Sequence, residues 1–481
     1  MKKQAYIDFK LLLTRPPSGE GGCQVNLLPT PEVGETIAPV IVSAEAGPSA
    51  ELLPQLAQKS ITLRQLATLG KGLANWLLPE GTIRERFKYA YDRAGTDGGV
   101  RLRVIIADQG LKQWPWEYVY LSLLDGPDSM EGFLALNERI SLVRHEPLPY
   151  PHPTPAEAPD DLSELRMVVA AASPDVKDLG LQPLEVQKEI EIIRQSVAGF
   201  DLKGVKINAE PMLVNVTQVQ LADALLRKAY VFHFAGHGVP RVERDDLTRD
   251  AAKEAIYLLL ADEDSSAKAA YLSATDLARM LQAANTRLAV LGACYSGKRN
   301  ERYPWDGVAG ALAAAGIPAS ITMQYEVIDT HAIAFSRAFY AALGLGLSLD
   351  EAVWSGRVAM LRTTGDDAGV NVEWGVPVLY SRLSDGEVFP ERMAQATASA
   401  EVFRKVFSQT VEGIQKGKMT GVEVELIKNG VKVVQKIKEA QGEVTGIRTA
   451  IAEAGANIVV EQVFESVGPD ATVVGGVFEE L

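Results

Sequence analysis

Two runs decide the fold: AYVFHFAGHG, residues 229–238, and TRLAVLGACYSG, residues 286–297. Each is an apolar strand followed by a small-residue turn holding one reactive side chain, His237 in the first and Cys294 in the second. In open α/β sheets, sites form in the crevice beyond the carboxyl ends of the strands. Neighbouring parallel strands would therefore bring His237 and Cys294 together. A cysteine nucleophile needs either a thiolate or an imidazole that takes its proton as attack begins. The pair reads as a nucleophile, Cys294, and its base, His237. Gly236, Gly238, Gly292, Ala293 and Gly297 keep the surroundings small enough for a peptide to approach the backbone. The amides of Gly238 and Cys294 are the natural oxyanion donors.

Taken singly, each motif has a plainer reading. A Cys after a buried strand is most often a small core residue, and a His in H-x-x-x-H is a core histidine or a metal ligand. His233 and His237 are four apart, but Gly236 and Gly238 put them at a strand-to-loop transition, not on the helical face that zinc ligands share. With no C-x-x-C and no H-E-x-x-H, no metal site and no cofactor are expected, and His233 reads as structural. Residues 292–298, GACYSGK, match seven positions of a phosphate-binding loop. The eighth is Arg299, which lacks the hydroxyl that would ligate magnesium, and NERYPWDG reads as loop. No G-x-S-x-G elbow supports a serine hydrolase.

Outward from these runs, residues 162–390 alternate strands with amphipathic helices, which predicts an α/β domain: a mostly parallel sheet of about six strands with helices on both faces. Residues 1–144 mix probable strands (YIDFKLLL, IAPVIVS, RLRVII, ISLVR) with helical patterns (ELLPQLAQ, TLRQLATLGKGLANWLL) and predict an N-terminal α+β domain packing against that sheet. Between them, residues 145–161 hold six prolines and little apolar content, a linker. Residues 391–481 form a small C-terminal module that opens with helical patterning. It ends in NIVVEQVFESVGPDATVVGGVF, two Val-rich runs around Gly468, Pro469 and Asp470, read as a hairpin or as a strand edge for self-association or an upstream sensor. No regular long repeat is visible, which argues against a solenoid.

Composition sets the remaining bounds. The chain has 481 residues, 47% hydrophobic and 23% charged, the balance of a globular protein. Its most apolar run, 307–323, is broken by Gly310, Gly316 and Pro318 and is too short to span a bilayer, so no membrane partner is expected. The N-terminus lacks the apolar stretch of a signal peptide, and two cysteines, Cys23 and Cys294, suit a reducing, cytoplasmic setting. A net charge of −14 disfavours nucleic acid.

At HFAGHG (233–238), LGACYSG (291–297), the upstream PWE (115–117) and the closing WGVPVLYSR (374–382), the sequence resembles the CHAT family of caspase-like peptidases, in the group that includes caspases, separases and gingipains. The resemblance covers most of the chain up to about residue 389. It implies a caspase-like fold, a pseudo-caspase-like N-terminal domain, and a thiol endopeptidase with a His–Cys dyad, His237 as base and Cys294 as nucleophile. It also implies a protein substrate and a bacterial signalling or antiviral defence role. Gly292 stands where caspases have Gln, so strict aspartate specificity is not carried over. The alternative is a catalytically idle scaffold that works through its C-terminal module. The stretch QYEVIDTHAI resembles the separase segment in which an Asp lines a pocket for a basic residue. Asp329 is the matching position, with Glu326 nearby, and capping of a helix starting near Thr330 is the equal alternative. Residues 240–254 and 262–268 read as mobile loops over the cleft, and the tryptophans flanking Pro115 as the seam between the first two regions.

Overall fold

The computed structural model describes residues 5–17, 21–122, 128–146, 164–174, 181, 183–198, 206–209, 212–243, 253–264, 268–295, 305–363, 370–384, 386, 388–389 and the strands beyond 418. At 206, 240–243, 253–255, 293–295, 305–306 and beyond 418 the description is of the backbone alone. The Pro-rich segment past Glu146 and the helical pattern of 392–416 lie outside the described residues.

The N-terminal part opens with β1 (Ala5–Thr14), in which Phe9, Leu11 and Leu13 alternate inward, then β2 (Cys23–Leu27) and β3 (Val40–Val42). Three helices follow: α1 (Leu53–Ala57), α2 (Leu63–Leu77) and α3 (Thr82–Arg93). A reciprocal Thr62–Gln65 capping box starts α2, an arrangement worth about 1 kcal/mol. Next come β4 (Gly98–Ile106), α4 (Gln109–Lys112) and β5 (Ile140–His145). The buried guanidinium of Arg101 in β4 is matched by Asp350, with Nε–Oδ1 2.9 Å and Nη2–Oδ2 2.6 Å, and that of Arg103 by Asp8 and the carbonyls of Ser381 and Leu383.

The second part runs β6 (Glu164–Ala172), α5 (Val186–Ala198), β7 (Lys206–Asn208), β8 (Leu213–Val214), α6 (Gln218–Leu225), β9 (Val231–Glu243), β10 (Lys253–Ala261) and β11 (Ala269–Ser273). It continues with α7 (Ala274–Ala283), β12 (Leu288–Tyr295), α8 (Trp305–Ala314), β13 (Ala319–Met323), α9 (Asp329–Gly344), α10 (Leu349–Arg362) and β14 (Pro377–Ser381). The apolar run 307–323 is thus a helix and a strand. Between them Gly316, at φ +84, supplies a left-handed turn before Pro318. No described helix is long and apolar enough to cross a membrane.

One sheet collects the strands of both parts in the order β11-β10-β9-β12-β13-β14-β5-β4-β1-β2-β3, with β6 branching from β9 and β7 and β8 pairing with β6. The sheet is therefore longer than the six strands expected, and residues 1–144 extend it edge to edge instead of packing on it. β6, β9, β12 and β13 form one parallel block, and β14, β5, β4 and β1 another; the blocks meet at the antiparallel β13–β14 pair.

Alternation places helices on both faces of the first block. Val231 and Ala235 of β9 and Leu288 and Val290 of β12 pack with Ile190 and Ile193 of α5 and Phe335 and Phe339 of α9. Phe232, Phe234, Ala289 and Leu291 pack with Leu221 of α6, Leu277 of α7 and Leu312 of α8.

The segments expected as mobile loops are partly ordered pairing. Residues 240–243 and 253–254 belong to the β9–β10 hairpin, and the Asp262 N–H donates to the Lys268 carbonyl (3.1 Å), closing the β10–β11 turn. Residues 244–252 and 265–267 lie outside the description.

The C-terminal region holds β15 (Met419–Ile427), β16 (Gly430–Ile437), β17 (Glu443–Thr445), β18 (Thr449–Ile451), β19 (Asn457–Phe464), β20 (Thr472–Val474) and β21 (Phe478–Glu480). The two Val-rich runs do not form the expected hairpin. β19 pairs in parallel with β16, β20 with β17 and β21 with β18, so three successive strands are followed by three that repeat their order. The repeat escaped the sequence because side chains such as Lys432 and Val459, paired across the ladder, share no chemistry.

Candidate active site

His237 and Cys294 are directly opposite one another on the parallel strands β9 and β12, in a ladder running from Val231↔Leu288 to Gly238↔Tyr295. Adjacent strands lie about 4.8 Å apart, and opposed positions share one face of the sheet. Both residues belong to the strands themselves, one rung before the end of the β9–β12 ladder, and not to turns beyond them as the sequence suggested. Because Gly292 to Tyr295 are strand, the first half of the apparent phosphate loop is not a loop at all.

His237 marks a change of partner along β9. On one side β6 pairs as far as Ala172↔Gly236, and from Leu258↔Gly238 onward β10 takes its place. The two ladders therefore hand over at this residue, beside the rung that carries Cys294. Gly236 is needed for close approach: a Cβ there would lie 2.7 Å from the Phe234 ring and 2.8 Å from the Ala172 carbonyl. His237 is 2% exposed. Gly238, expected to donate to an oxyanion, is itself a ladder position opposite both Tyr295 and Leu258.

Four residues down the same face, His233 anchors a buried polar cluster. Its Nδ1 lies 2.9 Å from the Tyr340 hydroxyl and its Nε2 3.3 Å from Glu189 Oε1, which also accepts from the Ser336 hydroxyl (2.9 Å). The cluster joins β9 to α5 and α9. A Cβ on Gly292 would come within 3.5 Å of Glu189 Oε1, so the cluster sits beneath the strand that carries Cys294. Sequence reasoning missed Glu189; its signal is a carboxylate inside the apolar stripe of α5.

β13 runs parallel to β12, so the segment after Met323 leaves from the same sheet edge. It carries Glu326, which is exposed, and Asp329, which is half-buried. Burial raises the Asp329 carboxyl above its ordinary range; the backbone N–H of Glu185 opposes this, and Glu189 and Glu185 add to it. At the seam between the two parts, Glu117 of the PWE segment accepts from Gln324 and the neighbouring Tyr118 packs on Trp374 at 5.0 Å. Trp114, by contrast, meets Trp76 of its own part edge-on at 5.5 Å, and the Trp116 indole N–H donates to the Leu111 carbonyl. Gly375 has no room for a side chain, because a Cβ would overlap the Tyr118 ring.

Comparison with known proteins adds three findings. The family model described as CHAT domain matches residues 67–404. Among solved structures, the chain is similar to the Arg specific cysteine proteinase gingipain R (RGPB), at 13% identity and TM-score 0.38, covering 72% of this chain and 76% of that one. It is also similar to a chain of the Saccharomyces cerevisiae separase–securin complex, at 11% identity and TM-score 0.36, covering 78% and 30% respectively. A search of the curated proteins finds no match.

Proposed function

This chain belongs to the CHAT domain family, and from that membership and the edge of its sheet we propose that it is a thiol endopeptidase with Cys294 as nucleophile and His237 as base. The observation that carries the reading is the rung in which these two residues are opposed, beside the partner change of β9. His237 takes the thiol proton as sulfur attacks the scissile carbonyl, and the N–H of Cys294 receives the developing oxyanion. The imidazolium then protonates the departing amine. Water, deprotonated by the same imidazole, cleaves the thioester and frees the thiol.

The substrate is a protein, and the two carboxylates after β13, Asp329 and Glu326, favour a basic side chain before the scissile bond. A cytoplasmic signalling or defence role, with residues 391–481 receiving an upstream sensor or a second copy, follows from the family alone. The deciding experiment incubates wild type and Cys294→Ala with candidate proteins and sequences new N-termini. New termini with the wild type only, and labelling of Cys294 by a peptidyl thiol trap, support the proposal. Wild type that yields no new termini and takes no label indicates an idle scaffold.

A further inference from the structure

The PWE segment and the WGVPVLYSR segment take no part in this chemistry, yet both reach one side chain, Gln324, the first residue after β13. Gln324 Nε2 donates to Glu117 Oε2 (2.8 Å) and to the Gly375 carbonyl (2.7 Å), and Oε1 accepts from Arg144 Nη2 (3.2 Å). Its backbone N–H donates to the Val376 carbonyl (3.0 Å). Glu117 is fully buried and held on both oxygens by Arg144, at 3.0 and 2.6 Å. The far end of the segment is fastened too: the Asp329 carboxylate accepts from the backbone N–H of Glu185 (2.9 Å), at the entrance to α5. Residues 324–329 are thus tied at the Gln324 end to side chains of the N-terminal part and to the backbone before β14, and at the Asp329 end to the entrance of α5.

We propose that Glu117, Arg144 and Gln324 form a clamp that positions the acidic segment 324–329 against the His237–Cys294 rung and so sets the preference for basic substrates. This rests on the reading of Asp329 and Glu326 as specificity carboxylates. The clamp residues are positioning residues and touch no substrate. Placement matters because a carboxylate recognises a guanidinium through directed, paired hydrogen bonds, and a site tolerates only small displacement before selectivity is lost. A buried ion pair suits this task because its geometry, once satisfied on every oxygen, admits few alternatives.

Gln324→Ala tests the clamp while leaving the Glu117–Arg144 pair intact, and Gln324→Met keeps the volume to separate lost hydrogen bonds from a cavity. Backbone hydrogen exchange is compared in full-length protein. Amides of 325–329 should exchange about tenfold faster in both variants, with β12 and α10 unchanged. On peptides with Arg or an uncharged residue at the cleavage site, KM for the Arg peptide should rise about tenfold while kcat and the uncharged peptide change less than about threefold. Unchanged exchange overturns the clamp whatever the activity, and equal loss on both peptides overturns its role in selectivity. Wild type that cleaves neither peptide would defeat the peptidase reading, while the exchange result still decides the clamp.

Discussion

The carboxylate of Asp329 accepts a hydrogen bond from the backbone N–H of Glu185, 2.9 Å away, at the entrance to α5. α9 begins at Asp329 itself, and its N-cap, Ile328, makes no side-chain bond. Asp329 therefore caps a neighbouring helix and not its own, a third role beside the two that its sequence context offered.

Two substitutions separate that cap from substrate recognition. Asp329→Asn keeps an acceptor for Glu185 and should cost well under 1 kcal/mol, whereas Asp329→Ala should cost about 1 kcal/mol. Both should lose activity on peptides with Arg at the cleavage site while sparing uncharged ones. Denaturant unfolding and kcat/KM on the two peptides check this; equal loss on both peptides would reduce Asp329 to a cap.

Cys294→Ala and His237→Ala should each lower turnover about a thousandfold or more, since members of such a unit fail together. Their melting temperatures should stay close to wild type, as measured by calorimetry. A His237→Ala enzyme with near-normal turnover would assign the base elsewhere.

Asp350→Ala should destabilise the protein by about 3–5 kcal/mol, because it removes the two-point partner of the buried Arg101 and leaves it only the Asp8 carboxylate at 3.5 Å and the Ser384 carbonyl. Burial alone would raise the Asp350 carboxyl, but Arg101 and the Ser141 hydroxyl outweigh it and hold the group below its ordinary value. The unfolded chain then binds the proton more readily than the folded one. This stabilisation is fully present above the ordinary carboxylate range and is lost as pH falls through the depressed value. Urea titrations of wild type and variant across acid pH should converge at the low end.

His331 gives a second, milder acid effect. Burial first, then the Lys59 charge, lowers its pKa from 6.5 to about 4. From pH 6.5 down to about 4, the unfolded chain takes up a proton that the folded chain refuses, so stability declines through that window. The neutral ring also faces the Asn371 amide at 3.3 Å. His331→Gln should flatten the fall in melting temperature between pH 7 and 5; an unchanged slope would assign it to other groups, such as His145, likewise lowered to about 4.

Legibility in the sequence followed the strength of local signals. α2 and α10 are readable because long apolar periodicity coincides with the cap residues Thr62 and Ser348, and α9 because its apolar pattern is long. α3 is not, since Arg84, Glu85, Arg86 and Lys88 leave few apolar positions to mark its buried face. β13 is hidden because Ala319–Met323 is short and follows α8 without a polar break. The rung of His237 and Cys294 was foreseeable from two matched strand contexts. The use of Glu117 was not: a charge among tryptophans reads as packing until its partners, Arg144 and Gln324, arrive from distant strands. The joining of both parts into one sheet depends on β5–β14 pairing, a contact between segments that no local pattern connects.

That joint also orders events during synthesis. β14 lies in the interior of the sheet, between β13 and β5, yet it is the last of the fourteen strands to leave the ribosome. A nascent chain ending before Gly375 already carries His237 and Cys294, but β13 and β5 then present open edges to each other, and Gln324 lacks Gly375 and Val376. At roughly 5–20 residues per second, this state lasts several seconds. Translation thus withholds the last strand of the sheet until both reactive residues have been made, so a chain interrupted between them and β14 remains an unfinished sheet with no fixed acidic segment.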